Sequence, residues 1–150
     1  MANEVEWTYA SQVTLEGSGA SAGSGTFLAA DDAALSDANH YNYPLGDFVL
    51  KCSFAAAVAA GSAVYLYRQD LNIDSTNDAP APTATNYEQT LVGVFNLPQA
   101  GSESTNTLYY PCVDVPLTKE CQFSIKNAAN QTLSAGWTLK VTPKTYAPGA

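Results

Sequence analysis

Histidine is almost missing from this sequence: His40 is the only one in 150 residues. Acyl transfer by a serine or cysteine nucleophile needs a base and a group that orients it, so any such site must be built on His40. That residue stands in Asn39-His40-Tyr41-Asn42-Tyr43-Pro44, a loop sequence, and no serine has a nucleophile-elbow context. His40 reads as an exposed loop residue and the chain as a non-enzyme. Cations are scarce as well. Six Lys and Arg are set against 14 Asp and Glu, a formal net charge of −8. Phosphate backbones and anionic lipids demand a basic stripe, so neither nucleic acid nor a membrane surface is an expected partner. No apolar run approaches the ~18 residues of a membrane span. Met1 to Ser11 holds two Glu, no basic residue and no apolar core, so no cleaved secretory signal is expected.

Cysteine excludes a further class. Cys52, Cys112 and Cys121 are an odd count without Cys-x-x-Cys or Cys/His spacing, so a four-ligand zinc site is not expected. They read as three small buried apolar residues, with a Cys112–Cys121 bridge across a hairpin as the alternative. Glycoside hydrolysis needs two carboxylates facing each other over a cleft, and nothing singles out a pair among the 14 acids. Gly-rich phosphate-binding motifs are missing. No cofactor and no metal is expected.

What is present is β patterning. Length allows one domain that buries roughly 68–70% of its unfolded surface. The charged fraction is 13%, against a typical ~25%. Hydroxyls and amides take the place of charge, which leaves surface that can enter an interface without desolvating ions. Phe48, Leu50, Cys52 and Phe54 alternate with Val49, Lys51 and Ser53, while Cys121, Phe123 and Ile125, and Trp137, Leu139 and Val141, alternate with polar neighbours. Val64 and Leu66 oppose Tyr65 and Tyr67, bulky on both faces, which suits a central strand or one covered by a partner. Leu91, Gly93 and Phe95 share a face. Pro111 makes Thr107 to Val115 an edge strand or a bulged one. Ala55 to Ala60 reads as a strand end and hairpin turn, and Tyr146 to Ala150 as a tail. The expectation is all-β: an antiparallel two-sheet β-sandwich of seven or eight strands, jelly-roll type.

The first part of the chain differs. Glu4 to Tyr9 alternates and suits a short strand, and Gly17 to Gly25 (GSGASAGSG) is flexible by composition. Residues 1–26 are therefore read as an N-terminal strand with a Gly/Ser arm, and 27–150 as the sandwich. Asp31 to Ala38 suits a single capped helical turn. Among polar clusters, Asp70, Asn72, Asp74 and Asp78 place oxygens at alternate positions, as calcium asks. Ser75 and Ala81 occupy the positions where an EF-hand has its glycine and last glutamate, so loop-shaping Asx turns are the first reading and calcium the second. Tyr65, Tyr67, Tyr87, Tyr109 and Tyr110 are candidates for stacking on sugars or anchoring a protein partner. Asn130-Gln131-Thr132 matches a glycosylation sequon with no secretory context.

Three segments carry a resemblance: YPLGDFVLKCSF (Tyr43 to Phe54), YLYRQDLNIDSTNDAPAP (Tyr65 to Pro82) and SIKNAANQTLSAGWTLKVTPKTYAP (Ser124 to Pro148). Together they resemble small structural proteins of tailed-phage virions, encoded near the capsid genes. The resemblance implies a head decoration or cement protein that binds the major capsid protein lattice on the capsid exterior. It also implies synthesis in the host bacterial cytoplasm and self-association as a dimer or trimer. Trp7, Tyr9, Tyr65, Tyr67, Asp70, Asp74 and Asp78 are the expected contact residues: Met1 to Gly25 and the Asp70 to Pro82 loop carry much of the contact, and self-association covers the two-sided strand Tyr65 to Gln69. The alternative is a carbohydrate-binding or receptor-binding module, such as a head fibre.

Overall fold

The computed structural model describes residues 5–36, 43–74, 76–83, 90–98 and 101–148. His40 and Tyr87 lie outside the described residues. Nine strands follow one another: β1 (Val5–Tyr9), β2 (Val13–Gly19), β3 (Phe27–Leu35), β4 (Leu45–Cys52), β5 (Ala63–Asp70), β6 (Leu91–Asn96), β7 (Leu108–Pro116), β8 (Cys121–Asn127) and β9 (Trp137–Pro148). The named helical element is one 3-10 turn at Ser102–Thr105. No helix among the described residues is long and apolar enough to cross a membrane.

The strands form two antiparallel sheets, the architecture of a β-sandwich. One has the order β1-β9-β4-β7, with β2 also paired to β9, and the other β3-β8-β5-β6. The period-two segments behave as their spacing demands. Phe48, Leu50 and Cys52 of β4, Cys121, Phe123 and Ile125 of β8, and Trp137, Leu139 and Val141 of β9 are all buried. Each such strand turns one row of apolar side chains into the space between the sheets. Phe48 and Phe123 meet there edge-on, ring centroids 4.7 Å apart, one from each sheet. The β5 strand is central, between β8 and β6, as its two bulky faces suggest. The β7 strand is an edge and also bulged: the register with β4 shifts between Gly46 and Phe48, and Asp114 adopts φ 58°. At the flank where β6 approaches β7, Gly93 leaves room for a thiol: a Cβ there would lie 2.6 Å from Cys112 Sγ.

Several expectations are corrected. The Gly/Ser tract is part of the sandwich rather than a flexible arm. Gly17 N–H donates to Asp32 Oδ2 (2.6 Å), Trp137 Nε1–H donates to the Ala20 carbonyl (2.8 Å), and Ala22 is buried and bonded both ways to Leu133. At Gly19 the small residue is required because the Trp137 indole occupies the space a Cβ would take. Asp31 to Leu35 belong to β3 rather than a helical turn: the strand's register with β8 shifts between Ala30 and Leu35, where Leu35 pairs with Cys121. The β4 and β5 strands are no hairpin: they lie in different sheets, and residues 53–62 cross between them. Tyr146 lies in β9 and not in a tail. Cys112 and Cys121 sit in different sheets, and all three thiols are free.

Candidate functional site

The strands β1 and β2 lie end to end along one edge of β9, joined where Ala10 N–H donates to the Pro143 carbonyl (2.8 Å). Pairing of β4 with β9 stops at Leu45↔Lys144, whereas β1 continues to Val5↔Pro148. Among the described residues, the stretch Val5–Thr8 with Thr145–Pro148 is therefore a two-stranded ribbon. Its outward row is aromatic. Trp7 opposes Tyr146 with ring centroids 3.9 Å apart, and Trp7, Tyr9 and Tyr146 are 36, 53 and 55% exposed. Among these, Trp7 and Tyr9 were expected from the sequence; Tyr146 was not. The signal was there, because the Lys140, Thr142, Lys144 outward row runs on past Pro143 to Tyr146.

Lys144 fixes the base of this ribbon. Its ammonium lies 2.6 Å from Asp47 Oδ1, 2.7 Å from Asp114 Oδ1 and 4.2 Å from the Trp7 ring centroid. Burial pulls its pKa down, but the hydrogen bonds and charges of the two carboxylates outweigh this and raise it above the ordinary lysine value. The site also explains the unusual backbone of Asp114, whose N–H donates to Asp47 Oδ1 (3.1 Å).

The Asp70 to Pro82 loop closes on itself. Asp74 accepts from the N–H groups of Thr76 (3.1 Å) and Asn77 (2.8 Å) and from the Asn77 side-chain amide (2.7 Å). These bonds, the Asn77 amide first, hold its carboxyl down to about 2. Asp78 accepts from Asn72 N–H (3.0 Å), and Asp70 pairs with Arg68 (2.8 Å) and accepts from the Thr118 hydroxyl (2.7 Å). Asn72 donates to Glu120. The three aspartates thus shape the loop, and what the loop presents outward is Ile73, 64% exposed. Beside it, residues 70–73 and 118–120 line an open cleft of about 550 Å³. A second acidic group, Glu16 with Asp31 and Asp32, has its carboxylate oxygens within 4.8 Å of one another. Backbone N–H groups of Ser18 and Gly17 engage Glu16 and Asp32, which accounts for the placement of both.

The second sheet's tyrosines separate. Tyr65 is half-buried, but Tyr67 is 1% exposed against Phe27 (centroids 5.1 Å apart), so it offers no surface to a partner. Tyr110 is buried too, its hydroxyl without a hydrogen-bond partner among the described residues. Tyr109, its neighbour on the opposite face of β7, is 67% exposed. It stands at a groove of about 240 Å³ on the outer face of the first sheet, with Gln12, Val49, Lys51, Thr138 and Lys140. Of the other expected contacts, the four that are exposed or half-buried, Tyr65, Asp70, Asp74 and Asp78, lie on the second sheet's strand β5 and the loop after it, away from the ribbon strands.

Comparison of the chain with protein-family models gives no match, and comparison with curated proteins gives none.

Proposed function

We propose that the protein is a non-enzymatic structural component of a tailed-phage virion, a head decoration or cement protein. It binds the major capsid protein lattice on the capsid exterior and self-associates as a dimer or trimer. The observation that carries this reading is the ribbon of Val5–Thr8 and Thr145–Pro148, which sets Trp7 and Tyr146 in one exposed pair of rings, tilted 35° to each other. Two-stranded ribbons are marginal alone in water, and exposed Trp and Tyr are the side chains that anchor interfaces. The free edge of β1 has no neighbouring strand among the described residues, so a partner's backbone can continue the sheet.

The strand order supports a jelly roll. Taking β1 and β2 together as the first strand, the sheets contain strands first-last-third-sixth and second-seventh-fourth-fifth of an eight-strand winding. Viral capsid proteins and lectins use that architecture. The sparse surface charge and the three sequence segments that resemble phage virion proteins point the same way. In this reading Ile73, held out by the Asp70, Asp74 and Asp78 scaffold, is a second contact.

The test is co-sedimentation with heads assembled without this protein, from the phage that carries its gene. The wild-type chain pellets with them at saturable stoichiometry. Trp7→Ala with Tyr146→Ala lowers the affinity by about 30-fold or more, the loss of about 2 kcal/mol that marks an interface anchor. Full occupancy by the double variant rejects the ribbon as the contact, and failure of the wild-type chain to pellet rejects the cement reading.

A further inference from the structure

We propose that the groove of Gln12, Val49, Lys51, Tyr109, Thr138 and Lys140 is a binding site for one residue of an acidic, carboxylate-bearing saccharide. The proposal stands apart from the ribbon and does not rest on the virion reading.

Long-range register makes the groove. Lys51 on β4 lies opposite Tyr109 on one side and Thr138 on the other, and Lys140 lies opposite Val49. The two lysines are diagonal neighbours on adjacent strands, roughly 7–8 Å apart at the backbone. No carboxylate lines the groove. In a chain with 14 acids and six cations, a charged neighbour of a lysine is by chance more often acidic than basic. Lys144, on the same face of β9, has two such partners, whereas among the described residues Lys51 and Lys140 have no ion pair. Like charges on adjacent strands at this separation repel each other, which costs the fold stability. A bound anion removes the repulsion and converts it into affinity.

The rest of the lining selects the kind of anion. Tyr109 presents an open ring, with the Lys51 ammonium 5.8 Å from its centroid. An aromatic face packs against the C–H face of a pyranose, while its charged neighbour holds the acid group. Gln12 and Thr138 supply an amide and a hydroxyl for ring hydroxyls; the one bond Gln12 makes, to the Thr142 hydroxyl, is long at 3.5 Å. The volume, about 240 Å³, is below that of drug-sized sites and suits a single ring. Two lysines on a surface of net charge −8 cannot serve a nucleic-acid strand, which needs a continuous basic track.

The experiment is NMR titration of the full chain with two acid and neutral pairs, trigalacturonate against galactotriose and sialyl-lactose against lactose. At least one acidic sugar is expected to saturate shifts at Lys51, Tyr109 and Lys140 with a Kd of about 0.1–1 mM, and its neutral counterpart to bind about tenfold or more weakly. Lys51→Gln and Lys140→Gln each weaken binding by about tenfold, and Tyr109→Ala abolishes it, with thermal unfolding unchanged in all three. Which acid binds distinguishes a uronate from a sialate. Silence of both acids at about 10 mM overturns the proposal, as does equal binding of the neutral sugars. It is equally overturned if a Glu-rich peptide of the same charge binds as tightly, or if the lysine variants bind like wild type.

Discussion

The indole of Trp137 lies over Gly19, so close that a methyl group on that glycine would sit 1.9 Å from ring carbon Cε2. The contact joins β2 to β9 at the point where composition suggests a flexible arm. Gly19→Ala is expected to lower stability by about 3 kcal/mol, because a buried indole has no lower-energy position to move to. Gly23→Ala, whose nearest neighbour would be 3.8 Å away, is expected to change it by less than about 0.5 kcal/mol. Urea unfolding of the two variants checks this; equal effects would return the tract to a flexible arm.

Lys144 governs stability at alkaline pH. Its pKa is raised in the folded protein, so the stabilisation is complete below the unfolded value of 10.5 and is lost as pH rises through the higher folded value. Urea midpoints measured from about pH 9 to 12 are expected to fall in that window for wild type. Lys144→Met, which leaves Asp47 and Asp114 facing each other, is expected to lose about 1.5–3 kcal/mol at neutral pH and to lack the alkaline step.

The cysteines are expected to be inert in the native state. Burial pushes the Cys52 thiol up to about 12 and raises Cys121 and Cys112 as well. Thiolate is the reactive form, so a disulfide reagent at pH 8 is expected to titrate none of the three quickly, and all three after denaturation. A fast native thiol would contradict the packing around it.

Asp74 acts locally. Asp74→Ala is expected to speed amide exchange at Thr76 and Asn77, whose N–H groups donate to it, with the global urea midpoint unchanged. Its carboxyl is depressed to about 2 from 3.8, so the loop's protection is present above 3.8 and is lost as pH falls through about 2. Exchange rates at Asn77 that ignore both the substitution and acid would remove Asp74 as the loop's organiser.

These relationships differ in how far the sequence reveals them. The inward rows of β4, β8 and β9 are legible because each strand buries one face, and period two is the imprint of that burial. The edge position of β7 is legible from Pro111, whereas its bulge falls at Asp114 and not at the proline. The strand β3 escapes such reading, since Ala29, Ala30, Asp31 and Asp32 give no strong alternation and its state is set by pairing with β8. The packing of Gly19 depends on Trp137, distant in sequence, and small residues look alike whether they flex or lie under a ring. The candidate sites escape for the same reason. Trp7 meets Tyr146, and Lys51 meets Lys140, only through the register of β9 with β1 and β4. A single chain's local pattern does not encode which strands become neighbours.

The decisive measurement is a cryo-EM map of heads decorated with this chain. Ordered density for the protein at regular lattice positions is expected, with Trp7 and Tyr146 buried against the major capsid protein. Heads that stay bare, or chains whose Trp7–Tyr146 ribbon points to solvent, would contradict the reading of that ribbon as the attachment device of a cement protein.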